Sequence, residues 1–194
     1  VCGLTRAQDA NAAYEAGAIY GGVIFVPTSP RAVNVEQARE VMTGAPLQYV
    51  GVFRNSDITD VSATAAELGL AAVQLHGNED QAYVDALREV LPAQVQIWKA
   101  LSVSETLPAR DYQHVDKYVF DNGQGGSGQR FDWSLLGGQS LDNVLLAGGL
   151  GADNCVDAAK TGCAGLDFNS GVESQPGIKD ARLLASVFQT LRAY

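Results

Sequence analysis

Short runs of apolar and β-branched residues, each ending in Gly, Asn or a charged residue, alternate along the whole chain with alanine-rich stretches of helical period. The strand-like runs are Val1–Leu4, Tyr20–Val26, Gln48–Arg54, Ala71–Gly77, Gln96–Ser102, Lys117–Asn122, Val144–Leu150 and Gly165–Gly171. Eight of them in 194 residues leave about 24 residues per unit. That is close to the least chain in which a strand, a crossover helix and the next parallel strand fit. Helices are predicted over Ala7–Gly17, Val35–Thr43, Asp57–Leu68, Glu79–Leu91, Asp153–Gly162 and Asp180–Arg192, with shorter ones near Thr106–Asp111 and Trp133–Gly137. Asn34, Asp57 and Asn78 stand where helix N-caps belong, and Gly17, Gly69 and Gly162 where helices end. The strands lack strict alternation, as parallel strands covered on both faces do. No Gly-x-Gly-x-x-Gly follows the first strand, so an open doubly wound sheet is the weaker reading. The expected architecture is α/β, a (β/α)8 TIM barrel in a single domain spanning 1–194.

At 46% hydrophobic residues the chain can fill one large core. A net charge of −9, with only 13 Lys and Arg, argues against a nucleic-acid or anionic-membrane surface. No run reaches the ~20 apolar residues of a membrane span, and no secretory signal opens the chain. Three cysteines make no paired framework and are read as free thiols in a reducing compartment, the cytoplasm. The chain opens at Val1 within what reads as a strand, so a preceding segment, clipped or belonging to a fused neighbour, is expected.

Two strands run into glycine-rich turns one unit apart: Val144–Ala147 into Gly148-Gly149-Leu150-Gly151, and Gly165–Asn169 into Ser170-Gly171-Val172-Glu173, before Pro176-Gly177-Ile178-Lys179-Asp180 opens the last helix. Such turns let backbone N–H groups approach an anion, and a helix N-terminus adds a favourable dipole. In a barrel the loops after strands seven and eight commonly bind phosphate, so a phosphorylated small molecule is the expected ligand. The glycine-rich loop Asn122–Gln129 is either a plain connection or a lid over the same face.

The strand ends of a barrel converge on one site, which assembles Cys2, Arg31, Arg54, His76, Asp121, Asp167 and Ser170. Cys2 and Asp121 supply a thiol and a carboxyl, an acid and base suited to proton-transfer isomerisation. Each also has a plain structural role open to it, Cys2 as a buried hydrophobe and Asp121 as a loop cap. To act as a base, Cys2 needs its pKa lowered by a nearby cation or helix terminus. Arg31, on a proline-stiffened loop, either grips a carboxylate or lies in solvent. His76 either orients a ligand or satisfies a neighbouring backbone group. Lys99, inside a strand, is better read as half of an internal ion pair than as a Schiff-base lysine, and Cys155 and Cys163 as packing residues. No His or Cys pair has metal-ligand spacing, so no metal is expected.

These residues resemble the phosphoribosylanthranilate isomerase family along nearly the whole chain. The resemblance rests on Val1-Cys2-Gly3-Leu4-Thr5, Phe25-Val26-Pro27-Thr28-Ser29-Pro30-Arg31, Val73-Gln74-Leu75-His76-Gly77, Asp121 before Gly125-Gly126-Ser127-Gly128, Leu146-Ala147-Gly148-Gly149-Leu150, and Asp167-Phe168-Asn169-Ser170-Gly171-Val172-Glu173 with Gly177-Ile178-Lys179-Asp180. It implies a cofactor-free Amadori rearrangement of N-(5-phosphoribosyl)anthranilate in tryptophan biosynthesis. In that pattern Asp121 is the general acid that opens the sugar ring and Cys2 the base that takes the C2′ proton. Arg31 contacts the anthranilate moiety, His76 and Asp167 line the substrate site, and N–H groups around Gly149, Ser170 and Gly171 hold the phosphate. The similarity is greatest to the isomerase half of bifunctional enterobacterial enzymes, which implies a fused indole-3-glycerol-phosphate synthase as partner. Two rivals are a histidine-pathway aminoaldose isomerase, whose carboxylate pair and half-chain repeat are missing here, and a non-catalytic phosphosugar-binding barrel that needs neither Cys2 nor Asp121.

Overall fold

The computed structural model describes residues 1–122 and 130–194. The loop expected as a lid, 123–128, lies outside the described residues. Seven parallel strands form one sheet in sequence order: β1 (Tyr20–Ile24), β2 (Gln48–Phe53), β3 (Ala72–Leu75), β4 (Gln96–Ser102), β5 (Lys117–Asp121), β6 (Val144–Leu146) and β7 (Gly165–Leu166). The first expected strand carries no ladder of its own, yet it closes the ring. Cys2 N–H donates to the Phe168 carbonyl at 2.9 Å, while Leu4 N–H reaches Gly22 O at 2.9 Å and Gly22 N–H reaches Val1 O at 2.8 Å. Residues 1–4 thus lie between the chain leaving β7 and β1, which satisfies backbone groups that an open sheet would leave as two bare edges.

Helices cover the outside: α1 (Ala7–Ala16), α2 (Val35–Met42), α3 (Ile58–Leu68), α4 (Gln81–Val90), α5 (Cys155–Ala159) and α6 (Ala181–Ala193). Local chemistry sets their ends. Asn34 and Gln37 form a reciprocal capping box at α2, and Asp180 caps α6 by accepting from Arg182 N–H at 2.7 Å. Asp57 occupies its expected cap position without a side-chain bond. Asn78 is not a cap: α4 starts two residues later, where Asp80 accepts from Tyr83 N–H at 2.9 Å. Gly17 and Gly69 end α1 and α3 in the left-handed conformation.

Four further expectations are corrected. No helix forms at Thr106–Asp111, and Trp133–Leu136 is only a 3₁₀ turn. The seventh helix shrinks to five residues. The eighth strand ends at Leu166, after which the chain turns into a 3₁₀ segment at Ser170–Val172 and a two-stranded hairpin, β8 (Glu173–Gln175) and β9 (Ile178–Lys179), before α6 begins. Pro176-Gly177 is therefore a hairpin turn rather than the opening of a helix.

The core has two layers because each strand is covered on both faces. Leu4, Val23, Leu75, Ile97, Phe120 and Leu146 pack outward against the helices. Val50, Ala72, Trp98, Ala100, Val119 and Ala147, from five regions of the ring, meet one another inside the barrel. Cys2, Ile24 and Val52 form a third cluster on that interior side. Among the described residues no helix is long and apolar enough to cross a membrane.

Candidate active site

The two-residue period of a strand carries the interior face up to the loops. Val52 leads to Arg54, Gln74 to His76, Val119 to Asp121 and Leu145 to Ala147, so each interior position is followed, two residues on, by a residue at the C-terminal mouth. There they surround a cavity of about 880 Å³ whose wall includes Cys2, Arg31, His76, Asp121, Gly149, Asp167 and Ser170. Of the residues assigned to the site from sequence, Gly171 is the one that does not line this cavity.

Asp121 ends β5, and β6 and β7 separate it from Cys2 around the ring. Its Oδ1 accepts from Asn122 N–H at 2.7 Å and its Oδ2 lies 3.9 Å from His76 Nε2. Burial pushes the carboxyl above its ordinary value, with the Asn122 N–H pulling the other way, so it holds a proton to higher pH than a surface aspartate. Burial also lowers the His76 imidazole. Gln74 Nε2 sits 3.2 Å from His76 Nδ1, which makes Nδ1 the acceptor and leaves the ring proton on Nε2, facing Asp121.

Cys2 departs from the requirement read from its sequence. Its thiol is pushed up to about 12, first by burial and then by the neighbouring Asp167 carboxyl, with Lys179 among the opposing influences. At neutral pH it is therefore a neutral thiol. Asp167 is itself pushed upward by burial and by Asp121. A glycine at position 22 makes room for the thiol, since a Cβ there would stand 2.8 Å from Cys2 Sγ.

Arg31 is not in solvent. Only 6% exposed, it sends Nε and Nη2 to the two carboxylate oxygens of Glu173, at 2.8 and 2.7 Å. Glu173 also accepts from Lys179 Nζ at 2.8 Å, and Lys179 donates to the backbone and side-chain oxygens of Asn169 at 3.2 and 2.9 Å. The sequence reading missed Glu173, Lys179 and Asn169. A signal was there: Glu and Lys flank a Pro-Gly turn at positions that a hairpin sets opposite each other, and Glu173 does pair with Lys179 in the β8–β9 register. Lys99 forms the internal pair expected of it, with Glu79 Oε2 at 2.7 Å. Glu79 in turn accepts from Asn55 N–H at 2.7 Å and Gly77 N–H at 2.8 Å, tying two active-face loops together. Cys155 is a buried free thiol in α5 and Cys163 a half-buried one after it, as packing residues would be.

The glycine turns approach each other as their composition suggests. Gly148 and Gly149 have φ of 88° and 63°, and a Cβ on Gly171 would stand 2.0 Å from the Leu150 carbonyl oxygen. The expected helix dipole is missing from this grip. α5 has only five residues, and the first N–H groups of α6 are capped by Asp180 beyond the hairpin. Asn154 braces the turn, accepting from Gly151 N–H and donating to Gly149 O, both at 2.9 Å.

Comparison with known proteins identifies the family. The chain is 83% identical over its whole length to the tryptophan biosynthesis protein TrpCF of Salmonella typhi, of which it spans 43%, and 67% identical to that of Yersinia pestis, of which it spans 41%. The chain therefore covers less than half the length of these curated relatives. Among solved structures, phosphoribosyl anthranilate isomerase from Thermus thermophilus superposes with a TM-score of 0.86 at 32% identity, covering 99% of this chain and 96% of that one. A phosphoribosyl anthranilate isomerase in complex with reduced 1-(o-carboxyphenylamino)-1-deoxyribulose 5-phosphate gives a TM-score of 0.83 at 30% identity, covering 100% and 97%. The profile of the N-(5′-phosphoribosyl)anthranilate (PRA) isomerase family matches residues 1–190, and the chain belongs to that family.

Proposed function

We propose that this chain converts N-(5-phosphoribosyl)anthranilate into 1-(o-carboxyphenylamino)-1-deoxyribulose 5-phosphate by general acid–base catalysis, as a step of tryptophan biosynthesis. The observation that carries the reading is the meeting, in one cavity, of a half-buried carboxyl of raised pKa, Asp121, with the Cys2 thiol, on a chain that belongs to this family. Asp121 gives its proton to the ring oxygen. The C1′–O bond breaks as the nitrogen lone pair forms a Schiff-base iminium, and the oxygen becomes the C4′ hydroxyl. Cys2 then takes the C2′ proton, and the C–H electron pair forms the C1′=C2′ bond and neutralises the nitrogen. The resulting enol ketonises at C2′ with protonation of C1′. Substrate and product are isomers, so the balance calls for no redox partner or cofactor.

The high thiol pKa fits this order of events. A positive iminium next to the sulfur lowers its pKa, so after ring opening the thiol releases its proton to solvent, and the thiolate then takes the C2′ proton and is a neutral thiol again. Arg31 faces the anthranilate side, His76 and Asp167 contact the substrate, and N–H groups around Gly149, Ser170 and Gly171 hold the phosphate. The chain acts as one isomerase domain in the cytoplasm. Its relatives are more than twice its length, which supports a fused indole-3-glycerol-phosphate synthase as its partner.

The test is a fluorescence assay of phosphoribosylanthranilate consumption by the parent chain and by its Cys2→Ala and Asp121→Asn variants. Loss of turnover in both, with binding of a product analogue retained, is expected. Near-parent turnover by Asp121→Asn would remove it from the acid role, because an amide has no proton to give.

A further inference from the structure

We infer that Lys179, buried behind Arg31 and joined to it through Glu173, supplies the net positive charge by which this site selects a substrate bearing a carboxylate beside its amine. The inference deepens the proposed function and rests on Arg31 being the anthranilate-side contact.

The charge count carries it. Arg31 and Lys179 share a single carboxylate, that of Glu173, whose side chain is 4% exposed, while that of Lys179 is fully buried. A neutral Arg31–Glu173 pair, already bidentate, holds the guanidinium in place without help. A second buried cation is costly to desolvate and leaves the cluster one positive charge in excess. The nearby acids do not cancel it. Asp9, which accepts from Lys179 N–H at 3.0 Å, is paired with Arg6 at 2.6 Å, and burial pushes Asp167 towards its neutral form; burial lowers the Lys179 ammonium as well, but its bond to Glu173 at 2.8 Å opposes that.

Lys179 does not reach for a ligand itself. Its three ammonium hydrogens match three acceptors, the two Asn169 oxygens and Glu173 Oε1. It therefore acts through charge and through Arg31, as a positioning residue. The cluster stands beside the reacting centre: a Cβ at Gly3, next to Cys2, would lie 2.7 Å from both Arg31 Cδ and Asn169 Oδ1. In that enclosed wall an excess positive charge is best matched by an anionic group on the substrate ring, and a ring without one leaves the charge unanswered.

The experiment compares kcat/KM for N-(5-phosphoribosyl)anthranilate with kcat/KM for N-(5-phosphoribosyl)aniline, made by condensing ribose 5-phosphate with aniline. The parent chain should prefer the carboxylated substrate, and Lys179→Met should reduce that preference by about tenfold or more, the worth of one charge-assisted contact. Lys179→Arg should restore it. The double variant Glu173→Gln/Lys179→Met leaves Arg31 as the one charge of the cluster and should recover most of the preference, which keeps the test open if Lys179→Met alone does not fold. Equal loss of kcat/KM on both substrates in Lys179→Met, or no recovery in the double variant, would overturn the inference. A parent that turns over neither substrate would instead refute the proposed function, and one without a preference would refute the placing of Arg31.

Discussion

Replacing Lys99 with Met tests the polar clamp beneath the active face. The Lys99 and Glu79 side chains are 2% and 1% exposed, their heads are 2.7 Å apart, and Lys99 also donates to Gly77 O at 2.9 Å. Methionine fills similar space but leaves Glu79 charged and buried, which in comparable pairs costs about 3–5 kcal/mol. Two backbone donors remain on Glu79, so the lower end applies. In a chain of this size about 3 kcal/mol corresponds to a fall of roughly 6–12 °C in Tm. The sign of the pH dependence follows. Burial alone would raise the Glu79 carboxyl, but Lys99 and the Asn55 N–H hold it below its ordinary value, so in the parent its contribution is full above the unfolded pKa and fades as pH falls through the folded one. Without Lys99 burial dominates and raises the carboxyl. The variant's deficit should then shrink between neutral pH and about pH 5 as Glu79 takes a proton. Thermal and urea unfolding across that range measure both effects, and adding Glu79→Gln should recover part of the loss. A Lys99→Met chain melting within about 2 °C of the parent, below the shift expected for even 1 kcal/mol, would refute the reasoning.

Two further outcomes are expected. Asp167→Asn removes the carboxyl that, once ionised, helps to raise the Cys2 thiol, so at mildly alkaline pH Cys2 should react faster with iodoacetamide than in the parent, and an unchanged rate would mean that burial alone sets the thiol. Gly171→Ala places a Cβ 2.0 Å from Leu150 O and must displace the turn, so KM for the phosphosugar should rise by about tenfold to a hundredfold, the worth of one hydrogen bond to a charged group, with a smaller effect on kcat.

The strand ends were legible in the sequence because a barrel obeys a period of two. Once Val119 and Gln74 are interior, Asp121 and His76 must face the mouth, and the same rule applies around the ring. The ion pair of Lys99 was legible too, since a lysine inside a buried strand requires a partner. The Glu173–Lys179 hairpin left only its Pro-Gly turn as a signal. Its residues continue the glycine-rich loop without a hydrophobic alternation of their own, and the segment before Asp180, which does cap α6 as expected, reads as a plain lead-in to that helix. The burial of Arg31 was unreadable, because it depends on a carboxylate 142 residues away. The Cys2 thiol shows the limit of local reasoning. A nearby cation does exist in Lys179, but burial and Asp167 outweigh it.

The most direct measurement of the proposed mechanism uses substrate deuterated at C2′ and follows release of the label to solvent beside product formation. In the parent chain the two should proceed together with a primary isotope effect. Cys2→Ala should open the ring but keep the label in place, and Asp121→Asn should neither open the ring nor release the label. Release of deuterium by Cys2→Ala at the parent rate would contradict the account, because some other group would then be taking the proton.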